Sequence, residues 1–160
     1  MKEKLFIKKM SNSIMELVYP SKEWAEEWCK RLNESKEYND AGKGWVAPLL
    51  FVVTDVPGQV IQSLGLNNVN ALAMKLYLNN GQCQGVDFFT DVSKADAPYI
   101  LEGSYETWKN IISGKLEVVS ALLSGNIRLK KGSLFDLARY TSASVIMARI
   151  SNQINTKFLA

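Results

Sequence analysis

The sequence predicts a single α+β domain in which helices pack on one face of a mainly antiparallel sheet of about five strands. Residues 45–101 show the apolar runs and two-residue alternation of strands joined by short turns, which favour antiparallel neighbours. Helical spacing of apolar residues is instead concentrated at the two ends of the chain. With 160 residues the chain is long enough for one sizeable core, whereas two domains would each be small.

Alternation and turn residues together predict the strands. Every second residue from Leu72 to Leu78 is a large apolar one, so these side chains share one face of an extended segment. The Asn79-Asn80-Gly81 sequence that follows is typical of a hairpin, because Asn and Gly tolerate a positive φ. The predicted strands are residues 49–54, 71–78, 82–90, 99–102 and 127–130.

Serine caps and glycine stops predict the helices. The first predicted helix covers residues 21–41, because Ser21 can cap its start and Gly42 and Gly44 follow its end. A bend is expected near Asn33. Ser104 begins a second helix that ends at Gly114, and a third, apolar helix ends at Gly125. A serine also precedes the last predicted helix, residues 134–150. Its small polar residues 141–144 predict either a break in the helix or close packing there.

The order of elements between residues 99 and 133 resembles the sterol carrier protein 2 family. It reads strand, Gly-Ser, aromatic helix, Gly, apolar helix, Gly, strand, Gly-Ser. The matching residues are Gly103-Ser104, Trp108, Gly114, Ala121-Leu122-Leu123-x-Gly125 and Ile127-x-Leu129-x-x-Gly132. Further similarity to the family lies upstream, in Ser21-x-x-Trp24 and Tyr38-x-x-Ala41-Gly42-Lys43-Gly44-Trp45. The resemblance covers roughly residues 20–140, and it implies a small domain that holds a lipid between its sheet and its helices.

Apolar side chains on the short helices are the candidate ligand-binding residues. Trp108, Ile111 and Ile112 share one helical face at i, i+3 and i+4. The inner side of the next helix is predicted to consist of Val118, Val119, Leu122 and Leu123. The candidate site is Trp108, Ile111, Ile112, Leu116, Val119, Leu122, Leu123, Phe135 and Tyr140. The same side chains fit a close-packed core equally well, and the resemblance favours a cavity.

The tryptophans of the first predicted helix leave two interpretations open. Trp24 and Trp28 are four residues apart, so they lie on one face of that helix. On that face they either wall a lipid pocket or anchor the helix on the sheet.

The composition argues against most catalytic sites. The chain contains no histidine, which excludes a Ser-His-Asp or Cys-His site and removes the commonest non-thiolate metal ligand. The sequence therefore predicts non-catalytic binding of a lipid, fatty acyl chain or other apolar molecule, with transfer as a further role and no cofactor or metal. One alternative is a small acyl-thioester enzyme with a pocket carboxylate, for which Asp87 and Glu106 are the residues to test. Another is a regulatory module whose pocket is closed.

The two cysteines, Cys29 and Cys83, lie too far apart in sequence for a C-x-x-C motif. Reduced thiols in a cytoplasmic protein are the simpler prediction, because disulfides are rare in that compartment. No apolar stretch has the length of a signal peptide core or a membrane span, which also predicts a cytoplasmic protein. Residues 1–19 are predicted to be an N-terminal extension and residues 20–160 the lipid-binding domain.

Charge is unevenly distributed along the chain. The net charge is +3, yet the part from Gly103 onward carries eight basic and three acidic residues, a net charge of +5. This basic part could contact an anionic membrane surface transiently, or it could be solvated charge on the outer sides of helices. The expected partner is a lipid or fatty acyl-type molecule, with a homodimer as an open possibility. No nucleic acid is expected.

Overall fold

The structure, a computed structural model, describes residues 15–160. Its helices are α1 (Lys22–Glu34), α2 (Lys36–Ala41), α3 (Gly58–Ser63), α4 (Tyr105–Ile112), α5 (Val118–Ser124), α6 (Leu134–Ala138) and α7 (Thr141–Asn152). Its strands are β1 (Leu17–Val18), β2 (Leu49–Thr54), β3 (Leu72–Asn79), β4 (Gln82–Phe89), β5 (Tyr99–Ser104), β6 (Ile127–Lys131) and β7 (Thr156–Lys157). A 3₁₀ turn, Val92–Lys94, lies between β4 and β5.

The main sheet has five strands in the order β4-β3-β2-β5-β6. Three of its pairings are antiparallel, and β2 and β5 run parallel at the centre. The predicted fold class, an α+β domain with a mainly antiparallel sheet of five strands, is confirmed. β1 and β7 form a separate two-stranded parallel sheet that joins the two ends of the described chain.

The two faces of the sheet are covered differently. Alternate residues of β2, such as Phe51 and Val53, are buried in the large core shared with the helices. Their neighbours Leu50 and Val52 point to the opposite face, where a small cluster includes Ala97 from the segment between β4 and β5. Helices therefore cover one face, as predicted, and an irregular segment protects the other.

Serine caps begin four of the helices, the three that the sequence predicts and α2, which Ser35 caps. The side chains of Ser21, Ser104 and Ser133 accept hydrogen bonds from backbone N–H groups of the first turns of α1, α4 and α6, at 3.1, 3.1 and 3.3 Å. Glycine ends one of the helices. At the C-terminus of α5, Gly125 adopts φ 82°, a left-handed conformation that suits glycine. These local signals fix where the short helices begin and end.

Two helix predictions are refined by the structure. Residues 134–150 are divided into α6 and α7, and the break lies at Arg139 and Tyr140, just before the small polar residues where a break was one of two expectations. In α5 the buried residue is Ala121, whereas Leu123 is 84% exposed. The helix is only seven residues long, so neighbouring elements decide which side of it faces the core.

The predicted N-terminal extension overlaps the folded part of the chain. Residues 1–14 of this extension lie outside the described residues. Leu17 and Val18 pair with Thr156 and Lys157, and Tyr19 is only 1% exposed in the main core. The folded domain therefore includes residues 17–19, because β7 supplies the hydrogen-bonding partner for the chain entering α1.

The prediction of reduced thiols is wrong, because Cys29 of α1 and Cys83 of β4 form a disulfide. Beside it, the Asn33 side-chain amide donates to the Cys83 carbonyl oxygen at 2.8 Å and accepts from the Cys83 N–H at 2.6 Å. A covalent bond and two hydrogen bonds thus fasten α1 to β4, the edge strand of the sheet.

None of the helices within residues 15–160 combines the length and the apolar character needed to cross a membrane.

Candidate functional site

An apolar cavity lies between the helical layer and the sheet, with a free volume of about 60 Å³. That is several times the ~10–15 Å³ that one water requires on this measure. Five residues of the sheet form its floor, namely Leu49, Phe51, Met74, Leu101 and Ile127. The segment before α1 and the helices provide the remaining lining residues, Tyr19, Trp24, Trp28, Trp108, Ile111, Ile112, Val118, Leu122, Leu137, Ser144, Met147, Ala148 and Ser151.

Strand register assembles the floor of the cavity. Phe51 of β2 lies opposite Met74 of β3 on one side and Leu101 of β5 on the other. Residues paired in this way project from the same face of a sheet, so the three side chains stand together beneath the helices. With Leu49 of β2 and Ile127 of β6, the floor therefore comes from four strands that are separated in sequence.

Five aromatic rings form a continuous wall. The ring centroids of Tyr19 and Trp24 are 4.8 Å apart, those of Trp24 and Trp28 5.4 Å, and those of Trp28 and Phe51 5.1 Å. Phe51 is followed by Trp108 at 5.9 Å in an edge-to-face arrangement. Stacked, tilted and edge-to-face contacts at these distances stabilise aromatic pairs beyond simple burial. The wall crosses from the N-terminal segment through α1 and the sheet to α4.

The polar N–H groups of the three wall tryptophans are bound by the protein itself. Trp24 donates to the Thr156 hydroxyl at 2.9 Å, and Trp28 donates to the Met147 carbonyl oxygen at 3.1 Å. Trp108 donates to the carbonyl oxygen of Val52 at 3.0 Å. Because these donors are already satisfied, the rings present apolar surface to the cavity.

Gly103 lets Trp108 approach the sheet closely. A Cβ at residue 103 would lie 3.1 Å from Nε1 and 3.2 Å from Cε2 of the Trp108 ring. Such distances are shorter than ordinary van der Waals contact, so a larger residue would displace the ring. The Gly103-Ser104 pair thus serves two purposes, since it makes room for the indole and caps the helix that carries it.

The cavity offers no ionised group at neutral pH. Sixteen of its eighteen lining residues are apolar or aromatic, and the other two are Ser144 and Ser151. Its one titratable side chain is the Tyr19 phenol, whose pKa is raised well above its usual value, first by burial and second by the neighbouring Tyr105. The phenol therefore stays neutral, and the site suits the uncharged part of a ligand.

Comparisons with known proteins identify the family. The chain is similar to the solution structure of a conserved hypothetical protein from Thermus thermophilus, suggested to be a sterol carrier protein. The TM-score is 0.74 and the identity 30%, over 91% of this chain and 94% of the other. It is also similar to a crystal structure of sterol carrier protein 2, with a TM-score of 0.72 and 29% identity, over 84% of this chain and 97% of that chain. The chain belongs to the sterol carrier protein 2-like family.

More distant members share only the fold with this chain. The sterol carrier protein domain 2 of Helicoverpa armigera superposes with a TM-score of 0.52 at 16% identity, over 79% of this chain and 86% of that one. No family profile matches the sequence, and no curated protein matches it either. The resemblance read from the order of short helices, strands and glycines is confirmed by the structural matches.

In this sterol carrier protein 2-like chain, four of the predicted ligand-binding residues line the cavity. They are Trp108, Ile111 and Ile112 of α4 and Leu122 of α5. Helical spacing predicted the three residues of α4 because that helix presents a single apolar face to the core.

Leu116 and Val119 line a neighbouring surface groove of about 290 Å³. The groove and the cavity share three lining residues, Ile111, Val118 and Ala148, so the two spaces are adjacent. Its rim is polar and includes Glu117, Arg149 and Asn152.

Tyr140, Leu123 and Phe135 lie elsewhere. Tyr140 packs edge-on against Trp45, with ring centroids 5.1 Å apart, and lines a small separate pocket. Leu123 and Phe135 are 84% and 73% exposed and do not line the cavity. In α5 and α6 the neighbouring residues Leu122 and Leu137 take the inward positions instead.

Sequence reasoning missed the sheet floor and much of the wall. Trp24 and Trp28 border the cavity. Trp28 also packs against Phe51 of the sheet, whereas the two indole N–H groups bind Thr156 of β7 and Met147 of α7. Their four-residue spacing was the available signal. Phe51 and Met74 were visible only as members of predicted strands, and nothing local indicated that they would meet.

The carboxylates of the enzyme alternative lie away from the cavity. Asp87 is exposed on β4 and accepts a hydrogen bond of 2.6 Å from the Tyr77 hydroxyl, and Glu106 is exposed on α4. Neither lines the cavity. Among the described residues, no three His, Cys, Asp or Glu side chains gather closely enough to hold a metal ion.

Proposed function

We propose that the protein binds, without catalysis, a lipid, fatty acyl chain or similar apolar molecule in the cavity, and transfers it between membranes. The observation that carries the proposal is the aromatic-walled cavity itself, with its neutral lining and its position between sheet and helices. The sterol carrier protein 2-like family supports it. Lipid carriage requires only reversible burial of apolar surface, for which this lining is suited.

The free energy available from apolar burial is sufficient for useful affinity. Removing a few hundred Å² of ligand surface from water at ~25 cal/mol per Å² yields on the order of 5–10 kcal/mol before the cost of association. No charged side chain of the lining has to be desolvated when the ligand enters. The apolar part of the ligand can therefore supply most of the affinity.

The ligand must enlarge the cavity to enter it. A free volume of about 60 Å³ holds a few methylene groups, not a whole lipid. Val118 and Leu122 of α5 and Leu137 of α6 belong to short helices that glycines delimit at Gly125 and Gly132. We propose that outward movement of α5 and α6 opens the cavity, and that the polar end of the ligand then lies toward the groove rimmed by Arg149.

Titration with a fluorescent long-chain fatty acid tests the proposed function. We expect saturable binding below tens of micromolar with a fixed small stoichiometry, because one cavity limits the number of chains bound. Mass spectrometry of the natively purified protein should find a co-purified lipid. A signal that rises without saturation, as for nonspecific adsorption, would contradict the proposal.

A substitution that fills the cavity can distinguish a ligand-binding site from a closed core. Ala148 lines both the cavity and the groove, so Ala148→Leu is expected to weaken fatty acid binding by about tenfold or more while leaving the thermal midpoint unchanged or higher. Ala25→Leu is the matched control, because Ala25 is fully buried in α1 and does not line the cavity. There the added carbons should cost about 1–3 kcal/mol by overpacking. Equal destabilisation at both positions would indicate a closed core.

We propose the cytoplasm as the place of action, as the sequence predicts, and the Cys29–Cys83 bond would then be an uncommon disulfide for that compartment. Disulfides are rare in reducing compartments. The state of this bond in cells, measured by thiol trapping, therefore tests the proposed location.

A further inference from the structure

The Tyr19 hydroxyl is a polar group of the cavity lining that has no hydrogen-bond partner in the described part of the chain. Tyr19 is only 1% exposed, and no group of residues 15–160 forms a hydrogen bond with its hydroxyl. Every fully buried side-chain nitrogen or oxygen among these residues does have a partner. The Tyr19 hydroxyl therefore borders free space, and the space that Tyr19 lines is the cavity.

Aromatic rings pack around the rest of this side chain. The ring centroids of Trp24, Tyr105 and Phe158 lie 4.8, 6.4 and 6.0 Å from that of Tyr19. Aromatic faces and edges bind a hydroxyl only weakly, and a buried hydroxyl without a partner is unfavourable. Burial also raises the pKa of the phenol, so it keeps its proton and remains a hydrogen-bond donor. A ligand in the cavity can supply the missing acceptor.

Two serines add hydrogen-bond acceptors to the same lining. Ser144 and Ser151 donate their own protons to the carbonyl oxygens of Tyr140 and Ala148, at 3.2 and 2.6 Å. Each serine oxygen keeps lone pairs for a further bond, and the seven-residue spacing places both serines on the cavity side of α7. One free donor and neutral acceptors suit an uncharged oxygen rather than a carboxylate.

We propose that Tyr19 selects ligands that carry an uncharged oxygen, in a hydroxyl or carbonyl group, part-way along an acyl chain. The Tyr19 hydroxyl donates to this oxygen, and a ligand hydroxyl can itself donate to a serine oxygen. The inference rests on the proposed function, which places an acyl chain in the cavity. It adds the class of chain, an oxygenated fatty acid.

The position of Tyr19 sets this oxygen away from the carboxyl end of the ligand. Tyr19 packs edge-on against Tyr105, the first residue of α4, whereas the neighbouring groove is lined by Ile111 in the last turn of that helix. The two positions are about 9 Å apart along the helix axis at ~1.5 Å per residue. A fatty acid whose carboxyl end lies toward the groove therefore presents mid-chain carbons to Tyr19.

Displacement of a fluorescent fatty acid by stearic acid and by two hydroxystearic acids tests the inference. One hydroxy acid carries its hydroxyl at mid-chain, and the other carries it on the carbon next to the carboxyl group. The wild-type protein should bind the mid-chain isomer about tenfold more tightly than stearic acid, because stearic acid leaves the Tyr19 hydroxyl unpaired. The other isomer should gain nothing over stearic acid, because its hydroxyl stays near the groove.

Tyr19→Phe keeps the ring and removes only the hydroxyl. This variant should lose the preference for the mid-chain isomer and bind stearic acid several-fold more tightly than the wild type does. Its thermal midpoint should not fall, because the hydroxyl has no partner to lose within residues 15–160. Tyr38→Phe is the matched control, since Tyr38 is 2% exposed and does not line the cavity. The control should retain the preference.

The outcomes separate this inference from the proposed function. Equal affinity of the wild type for stearic acid and the mid-chain isomer overturns the inference and leaves the carrier function standing. A preference that survives in Tyr19→Phe, or that Tyr38→Phe also removes, overturns Tyr19 as the selecting residue. Absence of saturable binding for all three acids refutes the carrier function, and the inference with it.

Discussion

Replacing Trp108 with alanine is expected to lower the free energy of unfolding by about 3–5 kcal/mol and to weaken ligand binding markedly. The indole is only 6% exposed, packs edge-on against Phe51, and donates its N–H to the Val52 carbonyl oxygen at 3.0 Å. Truncation removes these contacts. It also leaves the carbonyl oxygen of Val52, in the central strand of the sheet, without the hydrogen bond from the indole. Chemical denaturation and fatty acid titration measure the two effects.

A second substitution divides the contribution of Trp108 into its parts. Trp108→Phe keeps an aromatic ring against Phe51 but lacks the N–H, so it should lose about 1–2 kcal/mol for the unmet hydrogen bond and retain most of the ligand affinity. Gly103→Ala offers an independent route, because its Cβ would press on the same ring and shift it without truncation. If Trp108→Ala destabilised the protein yet bound fatty acid with wild-type affinity, Trp108 would belong to the core and not to the site.

Local chemistry explains why so much of the fold was predictable. Ser104 caps α4 whatever surrounds it, and the Asn80-Gly81 pair reverses the chain because both residues adopt positive φ there, 54° and 84°. Such signals depend only on neighbours in sequence. The parallel pairing of β2 with β5 joins segments about fifty residues apart, so no local pattern could show which strand lies beside β2.

The same distinction divides the site. Ile111 and Ile112 were predicted because their helix is amphipathic, and the structure places both against the cavity. The positions of Leu123 and Phe135 could not be inferred, because an apolar residue on a very short helix fits either the core or an exposed contact surface. Exposure of these side chains is decided by the packing of whole elements.

Opening the Cys29–Cys83 disulfide is expected to cost roughly 2–4 kcal/mol of stability, the second large effect. The two cysteines are 54 residues apart, so the bond closes a long loop and reduces the conformational entropy of the unfolded chain. Neither sequence distance nor composition pointed to it, because α1 meets the edge strand β4 only in the folded domain. Denaturation of the wild type with and without reductant, and of Cys29→Ser with Cys83→Ser, measures the cost.

The folded state itself should survive the loss of the bond. Asn33 still joins α1 to β4 through two hydrogen bonds with the Cys83 backbone, and Trp24 and Trp28 keep α1 on the core. We therefore expect a lower denaturation midpoint with unchanged secondary structure, and the double serine variant should not respond to reductant. Thiol trapping in cells, followed by mass spectrometry, shows whether the bond exists where the protein works. Two free thiols in the folded protein under oxidising conditions, or a midpoint insensitive to reductant, would contradict the stabilising role assigned to the bond.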